Sequence, residues 1–237
     1  MVINPVKSQF INFKTKNYKN SISLIDVFID EYRLEEVESI KFLGVIVDAK
    51  LNWNNQIDQL SAKMASGLYL IRKVAKLGNK KLALNCYYAF VYSHIVYSIL
   101  LWGSSSNKNI NRILVLQKRA VRYINNLKPL DSCRNAFISN KILTVPSIYI
   151  YECILYGKQE NILTITKPHG YNTRKSNFSE AHRLTLYETK PSYMGRKMFQ
   201  FLPKGLKEIV NKSCFKSKLR SWLVEHCFYT LDDFFEN

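Results

Sequence analysis

Leu82–Trp102, LALNCYYAFVYSHIVYSILLW, is the stretch whose reading decides the fold. Almost every position is apolar or aromatic, and only His94 has a side chain that can carry a formal charge. Turned at the helical period it shows no polar face, so it predicts a helix buried on all sides. Its surroundings are as telling. From Gln59 to Leu130 there is no Asp or Glu, but twelve Lys or Arg. About 20 apolar residues are enough to cross a bilayer. Here, however, Asn85, Ser93, His94 and Ser98 interrupt the run, and its tyrosines lie along the middle instead of forming belts at both ends. The pattern points to a helical module with an apolar interior and an outside suited to a polyanion, with no membrane as partner.

The 237 residues suffice for one large domain or two small ones. A net charge of +17 is the unusual property, and it favours a nucleic acid or an anionic surface. The five cysteines (86, 133, 153, 214 and 227) form an odd set without a close pair and without zinc-finger spacing. MVINPVKSQF lacks the apolar core of a signal peptide, so the expected setting is intracellular, nucleus or cytoplasm.

Outward from the apolar run, Asn54–Leu77 places Ile57, Leu60, Met64, Leu68, Ile71 and Ala75 on one helical stripe, with Lys63, Arg72, Lys73 and Lys76 off it. Gly78-Asn79 supplies the positive φ that closes such a helix. Beyond Ser104–Asn107, Ile110–Ile124 sets Ile113, Leu114, Gln117, Val121 and Ile124 on one side and Lys108, Arg112, Arg119 and Arg122 on the other. The lack of acids argues for a face that meets phosphate, because a merely solvated face mixes both signs.

N-terminal to these, Gln9–Phe13 alternates as a short strand does, and Ile22–Ile29 and Ser39–Val47 are β-rich runs expected to pair through Asp30–Val37. Six acids between Asp26 and Glu38 make this segment nearly neutral. C-terminal to them, Ser132–Asn140 and Ser147–Glu160 read as helices, and 161–187 as a long loop. Met194–Leu202, Leu206–Val210 and Phe215–Cys227 resume helical spacing, the last with Ser213 as its expected cap. The tail DDFFEN is expected to fray. The fold class is therefore α+β, mostly α-helical: residues 1–53 as a small sheet, 54–128 as a helical bundle and 129–237 as further helices, with a loop at about 161–190.

Chemistry is sparse. Two-metal catalysis needs clustered carboxylates, and Asp232-Asp233 beside two phenylalanines reads as surface. No glycine loop cradles phosphate and no nucleophile elbow is present. His226-Cys227 and His94 read as ordinary helix residues. The expected metal and cofactor content of this chain is none.

Several stretches, in order, resemble reverse transcriptases of non-LTR retrotransposons, particularly the jockey-like elements. Lys41–Ile57, KFLGVIVDAKLNWNNQI, is similar to the segment after the palm, where aromatic-Leu-Gly-Val is followed by Asp and Trp ahead of the first thumb helix. Leu116–Ile124, LQKRAVRYI, resembles the family's Leu-Gln-Lys-Arg-Ala-x-Arg helix, and Tyr88–Trp102 its apolar thumb helix ending in Trp-Gly. Asn4–Phe13 is similar to motif D. Tyr171–Arg174, Phe201–Pro203 and Phe215–Leu223 resemble the C-terminal region. The resemblance implies a palm remnant, a thumb and a C-terminal region. It further implies that Phe42, Leu43 and Gly44 form the primer grip and that Lys7 is the motif D lysine, aiding departure of pyrophosphate. Lys63, Arg72, Lys73, Lys76, Arg112, Lys118, Arg119 and Arg122 would track the phosphates of an RNA/DNA template–primer. The family's catalytic aspartates and its Mg2+ belong upstream of motif D. The expectation is thus a C-terminal piece of an RNA-directed DNA polymerase, inactive alone and possible partner to the upstream part. The alternative is a self-sufficient or domesticated basic module that binds nucleic acid or protein without enzymatic activity.

Overall fold

The computed structural model describes residues 4–13, 26–160, 163 and 185–237. Its contacts divide the chain into two compact units, Met1–Gln59 and Leu60–Asn237. The class is α+β and mostly helical.

Among the described residues, the first unit holds three two-stranded ladders. β1 (Gln9–Phe10) runs parallel to β4 (Glu35–Glu36), and β2 (Phe28–Ile29) antiparallel to β3 (Tyr32–Arg33). β5 (Ser39–Phe42) pairs with β6 (Val45–Asp48), Phe42 opposite Val45. This corrects the expected pairing of Ile22–Ile29 with Ser39–Val47. The second run folds on itself, and the described end of the first pairs with its immediate neighbour. Leu43 and Gly44 between β5 and β6 have φ of 47° and 83°, and positive φ at both central residues is what a type I′ two-residue hairpin requires. So short a closure costs less entropy than the longer loop. Residues 14–25 lie outside the described residues.

Asp48 shapes the connection from β6 to the first helix. Its Oδ1 accepts the Lys50 and Asn52 N–H groups (3.1 and 3.0 Å) and its Oδ2 that of Trp53 at 2.8 Å. The carboxylate thereby holds a turn in which Leu51 and Trp53 both adopt positive φ, which side chains tolerate only with such support. Trp53 is buried and leads into α1 (Asn54–Ala75), where Gln56 Oε1 accepts from the Ile46 N–H at 2.9 Å.

In the second unit α1 buries Leu60, Met64, Leu68 and Ile71 along the expected stripe, and Gly78 takes the expected positive φ. The next, apolar stretch is not the expected single, fully buried rod. It comprises α2 (Lys80–Tyr87), one π-helical turn (Tyr88–Tyr92), α3 (Ser93–Val96) and α4 (Ile99–Trp102). Ala83, Tyr87, Val91, Ile95 and Ile99 are buried, whereas Leu82, Phe90, Tyr97 and Leu101 are exposed. The buried set repeats every four residues. In a straight α-helix that spacing drifts by about 40° per step. The wider π turn, together with the break at Ser98 (φ 56°), takes up the drift and keeps the set facing inward.

The helix enclosed on most sides is instead α7 (Val145–Gln159), which packs against α3, α4, α8 (Pro191–Phe201), α10 (Lys212–His226) and α5 (Asn107–Ile124). Against α8 its approach is backbone to backbone: a Cβ on Gly195 would stand 2.4 Å from the Cys153 carbonyl oxygen. α6 (Arg134–Ser139) precedes it, and α9 (Lys204–Lys207) lies between α8 and α10. Asn211 caps α10, accepting from both Ser213 and Cys214 N–H at 3.0 Å, which replaces the expected Ser213 cap.

The tail is ordered as α11 (Leu231–Phe235), a correction to the expected fraying. Thr230 and Asp233 form a capping box, and Phe234 is buried, edge-on to Phe228 at 5.5 Å. Of the expected loop at 161–190, only Leu163 and residues 185–190 are described, with Thr185–Thr189 forming a 3-10 turn.

One buried amide joins several of these helices. Gln117 of α5 donates to the Tyr87 hydroxyl and to the Leu143 carbonyl, both at 2.9 Å, and accepts the Val145 N–H at 3.0 Å. Replacing it with Leu strands all three partners in the core, each at a cost of about 1–3 kcal/mol. Gln117→Leu should therefore lower unfolding free energy by about 3–5 kcal/mol in denaturant titration, an outcome negated by a loss below 1 kcal/mol. The Asp233 carboxyl is held below its usual value. Burial opposes this but is outweighed by its bonds from Thr230 and from the Tyr229 and Thr230 N–H groups. A depressed carboxylate stabilises above the ordinary value and loses that contribution as pH falls through the lowered one. The tail should therefore stay docked at pH 5 and loosen at a pH below 3.8. Trp222, whose ring lies 6.1 Å from Phe234, reports this by fluorescence, and Asp233→Asn should remove the transition.

Candidate nucleic-acid interface

α5 is the best-defined part of the basic surface. Asn109, Ile110, Ile113, Leu114, Gln117, Ala120, Val121 and Ile124 are buried. At about 100° per residue, Lys108, Arg112, Arg119 and Arg122 then share the opposite side. Lys108, Arg112 and Arg119 are exposed and Arg122 is half-buried, its Nε donating to the Asp131 carbonyl at 3.1 Å. Gln117 sets this orientation: with its amide pinned inward, the arginines face solvent.

Lys118 sits differently. Its ammonium lies 3.6 Å from the centre of the Tyr229 ring, and burial lowers its pKa, with Cys133, Arg122, Cys227 and Arg134 as lesser influences. The Tyr229 phenol beside it is pushed up to about 12, chiefly by burial.

On α1, Lys63, Arg72, Lys73 and Lys76 are all exposed. Lys63 and Arg72 occupy opposite shoulders of the buried stripe, and Lys73 lies 5.5 Å over the Tyr69 ring. The His94 imidazole is held below its ordinary value by partial burial and then by the Lys63 charge. Two cations at the α1–α2 corner were not singled out by periodicity. Of these, Lys80 reaches Asn125 Oδ1 at 3.0 Å, at the C-terminal end of α5 and three residues beyond Arg122. The corner thus brings a lysine beside one end of the α5 face. The sequence signal was available: Lys76, Lys80 and Lys81 crowd a single turn.

In the first unit, Phe42 and Leu43 at the hairpin tip are 64% and 75% exposed, with Gly44 completing the turn. They stand out as a rigid apolar tip and not as strand core. Lys7 ends the one-turn 3-10 helix Pro5–Lys7, capped by Asn4, and lines a surface cavity with Tyr32, Arg33 and Glu35. Arg33 pairs with Asp26 at 2.6 Å.

Among the described residues no three His, Cys, Asp or Glu gather in a way that would hold a metal ion. His226 Nδ1 lies 2.9 Å from the Trp222 carbonyl, and its ring stacks on Phe228. Asp233 is the capping residue above. No helix among the described residues is long and apolar enough to cross a membrane. Tyr171–Arg174 lie outside the described residues.

Over 104 residues the chain is 28% identical to "Probable RNA-directed DNA polymerase from transposon X-element" of Drosophila melanogaster. The match takes in 41% of this chain and 11% of that protein, so the chain corresponds to a small part of its relative. Over that span it is similar to a retrotransposon RNA-directed DNA polymerase. No family model matches, and no solved structure matches.

The two adjacent cations of α5 should separate by role. Lys118→Ala should cost about 1 kcal/mol of stability, from the lost ring contact, and leave nucleic-acid affinity unchanged. Arg119→Ala should leave stability unchanged and weaken binding. Thermal melts and filter binding on the two variants check this, and identical behaviour of the two would refute it.

Proposed function

We propose that this chain is the post-palm part of a retrotransposon RNA-directed DNA polymerase and holds the RNA/DNA template–primer through a basic, thumb-like helical unit. The observation that carries the reading is the acid-free α5 face, with Arg112 and Arg119 turned to solvent by the inward Gln117. The similarity to a transposon polymerase supports it. On this reading the Phe42-Leu43-Gly44 hairpin is the primer grip. A type I′ turn with exposed apolar side chains gives a stiff rest for a sugar–phosphate backbone. Lys7 assists departing pyrophosphate as an electrostatic aid. The metal-binding carboxylates of strand extension are contributed by other parts of the polymerase, so the role of this chain is positioning and grip.

Phosphate contacts release condensed counterions, so affinity falls with salt in proportion to their number. Binding of an RNA–DNA primer–template should weaken steeply with salt. Arg112→Ala with Arg119→Ala should reduce the log–log slope by about two. Affinity that stays flat from low to moderate salt would refute the proposal.

A further inference from the structure

A second surface of the helical unit combines flat rings with positive charge, on a side of α1 away from Arg72. Gly67 of α1 lies against the π turn so closely that a Cβ there would stand 2.8 Å from the Phe90 carbonyl oxygen and 3.0 Å from its Cβ. This close crossing places α1 directly against the backbone of Phe90. One helical turn before Gly67 stands the exposed Lys63, whose charge adds to burial in lowering the pKa of His94. Phe90 and Tyr97 are 45% and 54% exposed, and Leu101 is exposed beyond them.

Neither aromatic sits on ordinary helix. Phe90 belongs to the π turn, an arrangement that recurs at functional sites. Tyr97 precedes the left-handed Ser98 (φ 56°). The buried Trp102 donates its Nε1 hydrogen to the Tyr97 carbonyl at 3.2 Å, and Ser98 Oγ donates to the same oxygen at 2.7 Å. The break is therefore fixed in place and presents its tyrosine outward. Strain of this kind persists where the surroundings over-determine it.

The residues that line this surface define the chemistry of its occupant. It takes a ligand with flat unsaturated faces for Phe90 and Tyr97 and with negative charge for Lys63. Neither α1 beyond Gln59 nor any segment through Leu130 contributes a carboxylate that would repel that charge. Stacking of bases on aromatic rings beside a cationic groove is how single strands are held without sequence preference. We propose that the Phe90–Tyr97 surface, with Lys63, binds single-stranded nucleic acid, as the unpaired template beyond the duplex. This rests on the template–primer reading for its biological setting, but the surface is distinct from the α5 face.

The test uses the full chain with two RNA–DNA duplexes, one blunt and one with a single-stranded extension containing 2-aminopurine. The wild type should bind the extended duplex more tightly and quench the fluorophore. Phe90→Ala with Tyr97→Ala should abolish quenching and cost about tenfold in affinity for the extended form, leaving the blunt form unchanged. Tyr97→Trp should preserve quenching. Tyr97→Ala alone serves if the double variant melts early. Equal wild-type affinity for both duplexes, or quenching that survives in the alanine variants, overturns the proposal. So does self-association lost in the double variant with oligonucleotide affinity unchanged, which assigns the face to a second copy. Extension-dependent binding without blunt-duplex affinity would sink the α5 reading and leave this one standing.

Discussion

The helical unit depends on a polar group placed where the core is otherwise dry. Gln117 lies fully buried on α5 and spends its amide on Tyr87 of α2, on the Leu143 carbonyl and on the first N–H of α7. Each partner would be costly to leave unpaired. Val145 opens a helix whose early N–H groups have no partner within it, and Leu143 lies in the connection from α6. The apolar stripe sets which side of α5 faces inward, and the directional bonds of the Gln117 amide fix its register against α2 and the start of α7. Next to it, Thr144 caps α7 by accepting from the Ser147 N–H and donates its hydroxyl hydrogen to the Phe228 carbonyl, so the entry to α7 also anchors the C-terminal segment.

The positive surface is a consequence of that constraint. A helix with Gln117 inward has Arg112 and Arg119 outward, whatever binds them. Several other cations are used internally. Lys158 donates to the Ile209 carbonyl at 2.8 Å and lies over Phe215, Lys207 donates to the Gln200 carbonyl, and Lys197 lies over Phe235. Arg220 is half-buried among Tyr88, Tyr92 and Tyr151. The net charge of +17 thus overstates the charge held free at the surface, since part of it is spent on carbonyls and rings within the fold.

α1 and α5 were legible because each has one wet side, and their apolar stripes repeat at the helical period. The identity of the central helix was not. Leu82–Trp102 is the more apolar string, but α7, which contains Glu152 and Lys158, is the one enclosed. Burial depends on neighbours far away in sequence, and composition carries no record of them. Likewise, Gln117 stood on the correct side of its helix by spacing, but its partners lie 26 to 30 residues off. The tail is a different case. Thr230 followed by Asp233 is a capping signature visible in the sequence, and the acidity of DDFFEN obscured it. At the hairpin, the β-rich run Ser39–Val47 suggested one strand, and the glycine inside it was passed over. The glycine decided it.

The correction to Leu82–Trp102 bears on the surface directly. Had Leu82–Trp102 been a straight rod sunk in the core, it would have offered nothing to solvent. A π turn and a left-handed residue cost conformational energy, and in return they keep the four-residue apolar row pointed inward while Phe90 and Tyr97 are turned outward. The departure from regular helix and the exposure of rings have one cause, the mismatch between a period of four in the sequence and the 3.6 of the α-helix. Apolar residues at three- and four-residue spacing would bury such a segment with no interruption, so the π turn and the break at Ser98 follow from the four-residue row itself.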